Sequence, residues 1–285
     1  MRKKLLALSL AIVGAAIVCN AAWALIAAPP PGPVRIVNSD AVFVGRVTAI
    51  EPQDVDAKQF PGAKQTVKYR IAVVTISQTI RGLKDEKTIR VGFVPPVPPK
   101  PGVPITGGGN RSPQLQAGQD GLFMITKHAE GKFYQAPGFG YFVAAQDKNF
   151  ADEVKLAKKV VVILADPLTA LKSKDSEERL LAASIQIGKH RTQKPPFNNK
   201  QEPIDADESK LILDALLASK WQPGRFGDPA NAYQIFAQIG IGPQDGWKSP
   251  AKVKDIDEIR QSVLAWLRDH PGYRIKRFLT QGEKQ

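Results

Sequence analysis

Cysteine is all but missing from this chain of 285 residues, in which Cys19 is the only one. It lies inside an apolar leader, so a protein cut after that leader makes no intramolecular disulfide and no thiolate metal site. Histidine is scarce as well. His128, His190 and His270 stand far apart, each in or beside a turn, and none has a partner at a metal-binding spacing such as H-E-x-x-H. All three are expected to be exposed surface residues. No G-x-S-x-G motif occurs, and no nucleophile has a candidate base beside it in the sequence. No acidic residue precedes Asp40.

That acid-free beginning has the order of an export signal. Arg2, Lys3 and Lys4 form a basic start, residues 5–18 are apolar, and Ala22-Trp23-Ala24 is a small-x-small cleavage pattern, which makes residues 1–24 a signal peptide. A single membrane anchor over residues 5–28 is the alternative, since that run is long enough to span a bilayer. Lipid attachment at Cys19 fits less well, because Val18 stands where a small residue is wanted. A secreted or periplasmic protein without cysteines is stabilised by its core alone. Losing Arg2, Lys3 and Lys4 takes the formal net charge from +13 to +10. The remaining base is spread along the chain, which suits attraction to anionic surfaces better than a dedicated nucleic-acid site. With 43% hydrophobic and 24% charged residues the chain is a folded one, long enough for two domains.

Residues 25–37 read as a proline-rich spacer. Residues 39–50 are then a first strand, with Gly45 marking a bulge, a bend or a close backbone approach. Residues 51–63 are a polar loop. Residues 67–94 are dominated by alternating β-branched side chains and break at Arg81-Gly82, so they predict an antiparallel hairpin. After a loop with six prolines and Gly107-Gly108-Gly109, further strands are expected at 122–127, 132–136 and 140–145. Strands at this spacing suggest a small antiparallel barrel.

The order SDAVFVGRV, a long strand ending in IRG, TIRVGFV, LQAGQDGLFMITK and GKFYQA resembles the netrin-like, or tissue-inhibitor-of-metalloproteinase-like, variety of OB-fold over residues 38–145. The resemblance rests on strand order and on Gly45, Gly82 and Gly118. It implies an OB-like β-barrel domain. Inhibitors of that family place an N-terminal cysteine on a protease zinc, and no cysteine follows Cys19 here, so the likeness carries the fold and not that mechanism.

Past Gln146 the apolar period changes from two to between three and four. Residues 152–164 suit a helix, although VVVIL alone also fits a strand. Asp166-Pro167 starts a short helical segment, Asp175 with Glu178 forms a capping box, and Gly188 is read as the end of that helix. Asp205 with Glu208 repeats the box. Residues 230–239 run from Asp228-Pro229 to Gly240, and Asp255 or Asp257 caps a last helix with a narrow apolar stripe. The segment beginning DPLTALK resembles one unit of a HEAT-like repeat, without a second copy at a fixed period. The fold class expected is therefore multidomain α+β, an antiparallel OB-like β-barrel over residues 38–146 followed by an all-α domain over 150–285.

Candidate binding residues come from three places. Gly107, Gly108, Gly109, Asn110 and Arg111 lie in the long loop, and a glycine run cradles phosphate only ahead of a helix, whereas this one leads to Ser112-Pro113. Trp247, in a Gln-Asp-Gly-Trp loop, is either core packing or a partner anchor. Arg274, Lys276 and Arg277 make a basic patch in YRIKRFLT, unless alternation turns Tyr273, Ile275 and Phe278 inward and leaves the charges as a solvated face. Asp205, Asp207 and Glu208 are explained by helix capping. No cofactor and no metal are implied. The expected role is non-enzymatic macromolecule binding, with a protein partner ahead of an anionic envelope polymer, and nucleic acid disfavoured because only Tyr69 and Phe93 interleave with base in residues 67–94. A hydrolase assembled from distant residues is the remaining class.

Overall fold

The computed structural model describes residues 30–96, 112–138, 140–193, 199–221, 231–250 and 253–280. Its first element is a helix, α1 (Gly32–Val37), whose six residues are all buried. This corrects the spacer reading over residues 32–37; residues 25–29 of that expected spacer lie outside the described residues. Proline is tolerated in a first helical turn, so Pro33 starts the helix that its residue type alone argued against.

Strand β1 (Ala41–Ile50) follows, then β2 (Val55–Lys58), β3 (Thr66–Arg81), β4 (Thr88–Phe93), β5 (Asp120–Lys127), β6 (Tyr134–Gln135) and β7 (Phe142–Ala144). The β3–β4 hairpin is antiparallel as expected, with Val73 opposite Arg90. The short β2 lies inside the supposed polar loop and pairs antiparallel with the start of β3. All seven strands share one sheet, in which β1 pairs with β3 on one side and β5 on the other. The register of β1 on β3 shifts three times, once between Val44 and Gly45. At that shift a Cβ on Gly45 would stand 2.6 Å from the Thr75 carbonyl oxygen, so the close approach expected of this glycine is present. The pairing is not wholly antiparallel: β4 and β6 run parallel, with Val91 opposite Tyr134 and Gly92 opposite Gln135.

Helices α2 (Phe150–Ala165), α3 (Pro167–Leu171), α4 (Ser176–Arg191), α5 (Ala206–Ala218), α6 (Ala232–Ile239) and α7 (Ile256–Asp269) follow. Their starts obey the N-cap half of the capping logic: the carboxylates of Asp166, Asp175, Asp205 and Asp255 accept backbone N–H bonds from the first turns they open, but Glu178 accepts from Ser173 Oγ and Glu208 pairs with His190, so neither expected capping box closes. Gly240, in the left-handed region at φ 75°, ends α6. Gly188 does not end α4. It is buried in that helix where α1 crosses, and a Cβ there would touch Val34 Cγ2 at 3.2 Å. Nor is this half all-helical, because β8 (Gln201–Pro203) and β9 (Lys276–Phe278) form an antiparallel ribbon.

The chain is thus a mixed α+β protein. One apolar cluster runs from the sheet into the helices, including Phe43 and Phe123, stacked at 5.0 Å, together with Ile36, Val160, Ile185, Leu216 and Val263. Each such side chain contributes on the order of 1.5–3 kcal/mol through burial. Helix α1 lies against α2 and α4, and α2 also packs on β3, β5 and β7. A smaller cluster of Ala57, Tyr69, Ile71 and Phe133 sits beneath β2.

Candidate binding cleft

The parallel β4–β6 pairing leaves a cleft of about 390 Å³ beside the turn that joins β5 to β6. Val73, Ile89 and Phe133 supply its apolar lining, and the charged residues around it are Arg90, Lys127 and Lys132, with no carboxylate among the lining residues. Arg90 is held as a fork on Glu51, with both nitrogen–oxygen distances 2.7 Å, and its Nη1 also donates to the Lys132 carbonyl at 3.3 Å. The hydrogen bond from Arg90 holds the Glu51 carboxyl below its ordinary range and raises the guanidinium in return. Lys127 and Lys132 are exposed and form no ion pair among the described residues. Burial raises the Tyr134 phenol, and Glu86 and Asp40 add to the effect, so it stays a neutral donor at the wall of the cleft.

The turn is fastened by a histidine. His128 is 5% exposed, and its Nδ1 accepts from the backbone N–H groups of Gly131 at 2.7 Å and Glu130 at 3.2 Å. Those bonds require the proton to sit on Nε2, which is buried and has no hydrogen-bond partner among the described residues. The ring stacks on Phe133 at 4.5 Å and meets Tyr69 edge-on at 5.2 Å. Burial pushes its pKa down, against smaller opposing effects of the Lys58 backbone and Glu130. His128 is therefore a structural member of the turn and not the exposed residue expected. His190 also differs from expectation, standing 3.0 Å from Glu208 Oε1 with its side chain 10% exposed, while His270 is exposed with Nδ1 2.8 Å from the Trp266 carbonyl.

The residues singled out in the sequence do not meet at this cleft. Gly107, Gly108, Gly109, Asn110 and Arg111 lie outside the described residues. Trp247 is buried, its indole N–H donates to Ser262 Oγ at 3.1 Å, and its ring meets Phe236 edge-on, so core packing is its role. The YRIKRFLT charges are each turned to a partner within the fold: Arg274 to the Ile204 carbonyl at 2.7 Å, Lys276 to Asp245 at 2.7 Å and Arg277 to Glu202 at 2.7 Å. They clamp the β8–β9 ribbon, and Ile275 is the fully buried member between them. Asp205 accepts from the N–H groups of Asp207 and Glu208, as its capping role requires.

A second cleft of about 460 Å³ lies beside the His190–Glu208 pair. Its carboxylates are already engaged, Asp205 by helix α5, Glu202 by Arg277 and Glu208 by His190. No group of three or more metal-ligating side chains occurs among the described residues. Sequence reasoning missed Arg90, Lys127 and Lys132 because each is a single base in a separate strand or turn; only the β4–β6 pairing brings them together. No protein-family model matches the chain, and no curated protein matches it in sequence.

Proposed function

We propose that this is an exported, non-enzymatic binding protein whose sheet is a closed OB-like barrel, and that its ligand is an anionic polymer of the cell envelope seated in the β4–β6 cleft. The pairing path β1–β3–β4–β6–β5 returning to β1 supports the barrel. In that order β3 and β4 take the place of the second and third OB strands, and residues 128–133 take that of the loop between the fourth and fifth. OB barrels bind oligonucleotides and oligosaccharides on that face. The observation that carries the ligand class is the convergence of Arg90, Lys127 and Lys132 on one cleft with no acid in its lining. Recognition by charge suits the site better than base stacking, because Phe133 is buried and Tyr134 half-buried.

The test is retention on an immobilised sulfated or uronic-acid polysaccharide. The Lys127→Ala/Lys132→Ala protein elutes at clearly lower salt than wild type, while a Lys210→Ala/Lys220→Ala protein of the same net charge elutes with wild type. Equal elution of all three, or no retention of wild type, overturns the proposal. Retention of a protein partner that is unaffected by salt would move the assignment to a protein-binding module.

A further inference from the structure

Helix α2 buries Ala157, Val160 and Ile163 and turns the opposite face to solvent. At 100° per residue that outward face carries Lys155, Lys158, Lys159, Val162 and Ala165, all exposed. No acidic residue occurs between Val154 and Ala165, and the three lysines form no ion pair among the described residues. Val162 is 72% exposed and Leu168, at the start of α3, is 44% exposed, the largest exposures among the big apolar side chains described. An isolated exposed valine is ordinary. Here it sits one turn from Lys158 and Lys159 and two turns from Lys155, on the helix against which the chain enters the fold.

That entry point is fixed by packing. Gly32 lies so close to α2 that a Cβ would stand 2.7 Å from Leu156 Cδ2 and 3.3 Å from Glu153 Oε2, and Arg35 pairs with Glu153 at 2.8 Å. Upstream, residues 5–28 contain no charged side chain. Such a run is long enough to cross a bilayer, and the three residues 29–31 can span no more than about 10 Å. A retained apolar segment would hold α2 within roughly a helix diameter of the membrane surface.

We propose that the outward face of α2 docks on an anionic phospholipid surface, with Lys155, Lys158 and Lys159 against lipid phosphates and Val162 and Leu168 at the headgroup boundary. Three lysines and two apolar side chains bind weakly alone, as single membrane signals do. The apolar segment, retained as the membrane anchor that is the alternative to cleavage, is the second signal, and it makes docking an intramolecular event. The proposal is independent of the β4–β6 cleft, which lies on other elements.

The experiment uses the full chain with Cys19→Ser and an environment-sensitive fluorophore at Val162→Cys, or at Lys220→Cys as a control. The protein is reconstituted with phosphatidylcholine vesicles with or without phosphatidylglycerol. Co-flotation with both vesicles is expected, with emission at position 162 rising about twofold on the anionic ones only, as entry into the headgroup region requires. The rise is expected to vanish in Lys155→Glu/Lys158→Glu/Lys159→Glu and in about 0.5 M salt, where the screening length falls to ~4 Å. Equal emission at 162 on the two vesicles, an equal rise at 220, or a chain that floats with neither vesicle overturns the proposal.

Discussion

Replacing Arg35 by methionine tests how the sheet and the helices are joined. Arg35 lies on α1 and is 7% exposed; it holds Glu153 of α2 at 2.8 Å and donates to the Gly140 carbonyl ahead of β7. Breaking a buried pair from one side costs about 3–5 kcal/mol, because the partner charge stays behind. The Glu153 side chain keeps 22% of its exposure, which relieves part of that cost, while the Gly140 carbonyl loses a donor worth about 1 kcal/mol. A loss of about 3 kcal/mol is expected, or roughly 6–12 °C in Tm for a chain of this size. The pair is nevertheless an imperfect one, since Arg35 Nε and Glu153 Oε2 are buried without hydrogen-bond partners. Its removal as a whole should therefore be mild. Arg35→Met together with Glu153→Leu is expected to recover all but about 1 kcal/mol, the share of the Gly140 carbonyl. Urea and thermal unfolding of both single variants and the double variant give the coupling directly. Additive losses, or a loss below about 0.5 kcal/mol for Arg35→Met, would refute the buried join, because that is the behaviour of a surface site.

Two further perturbations read other parts of the fold. His128 accepts two N–H bonds at Nδ1 only while unprotonated, and burial lowers its pKa, so the unfolded chain takes up a proton near pH 6.5 that the folded chain refuses. Its stabilising contribution is complete above about pH 6.5 and declines as the pH falls from there toward the lower folded value; an NMR titration placing this imidazole at or above 6.5 would contradict the account. Gly82 and Gly118 share a positive φ, 81° and 88°, but a Cβ at Gly82 would overlap the Asp40 carbonyl whereas one at Gly118 meets nothing within 4 Å. Gly118→Ala should cost about 1–2 kcal/mol for its backbone conformation, and Gly82→Ala about 1–3 kcal/mol more for the forced backbone shift. Equal urea midpoints for the two would show that the β1–β3 corner yields freely.

What was legible in the sequence was what depends on neighbours in the chain. Alternation in residues 67–94 marked the β3–β4 hairpin, and the Asp175 and Asp205 carboxylates marked their helices because a cap acts within three residues. Gly45 was legible too, since a lone glycine inside an alternating run gives up a packing side chain, which a strand tolerates where it bulges or where another backbone comes close. What was not legible depended on residues far away. Gly188 is a helix terminator by type and a crossing point in fact, and only the position of Val34 distinguishes the two. Pro33 looked like part of a spacer because its burial, with the rest of α1, is supplied by α2 and α4, more than a hundred residues later. His128 looked like a turn histidine on the surface, and it is a turn histidine, but β2 and Phe133 close over it.

The same distinction bears on the cleft. No helical residue lines it, whereas the helices described against the sheet meet β3, β5 and β7. The helical half therefore acts on the cleft indirectly, by burying the far sides of the strands that frame it. Lys127 and Lys132 are exposed, and Lys132 sits in a turn fastened by the Nδ1 bonds of His128 and by the His128 N–H to Phe133 carbonyl bond. Exchanging their side chains removes charge without opening the shared core. Arg90 differs, because losing it would strand the Glu51 carboxylate and free the Lys132 carbonyl together. Charge in this cleft is thus separable into two exposed lysines, on which the proposed ligand attraction rests, and one arginine that also holds the cleft together. For that reason the exposed pair is the clean probe of binding and Arg90 is not.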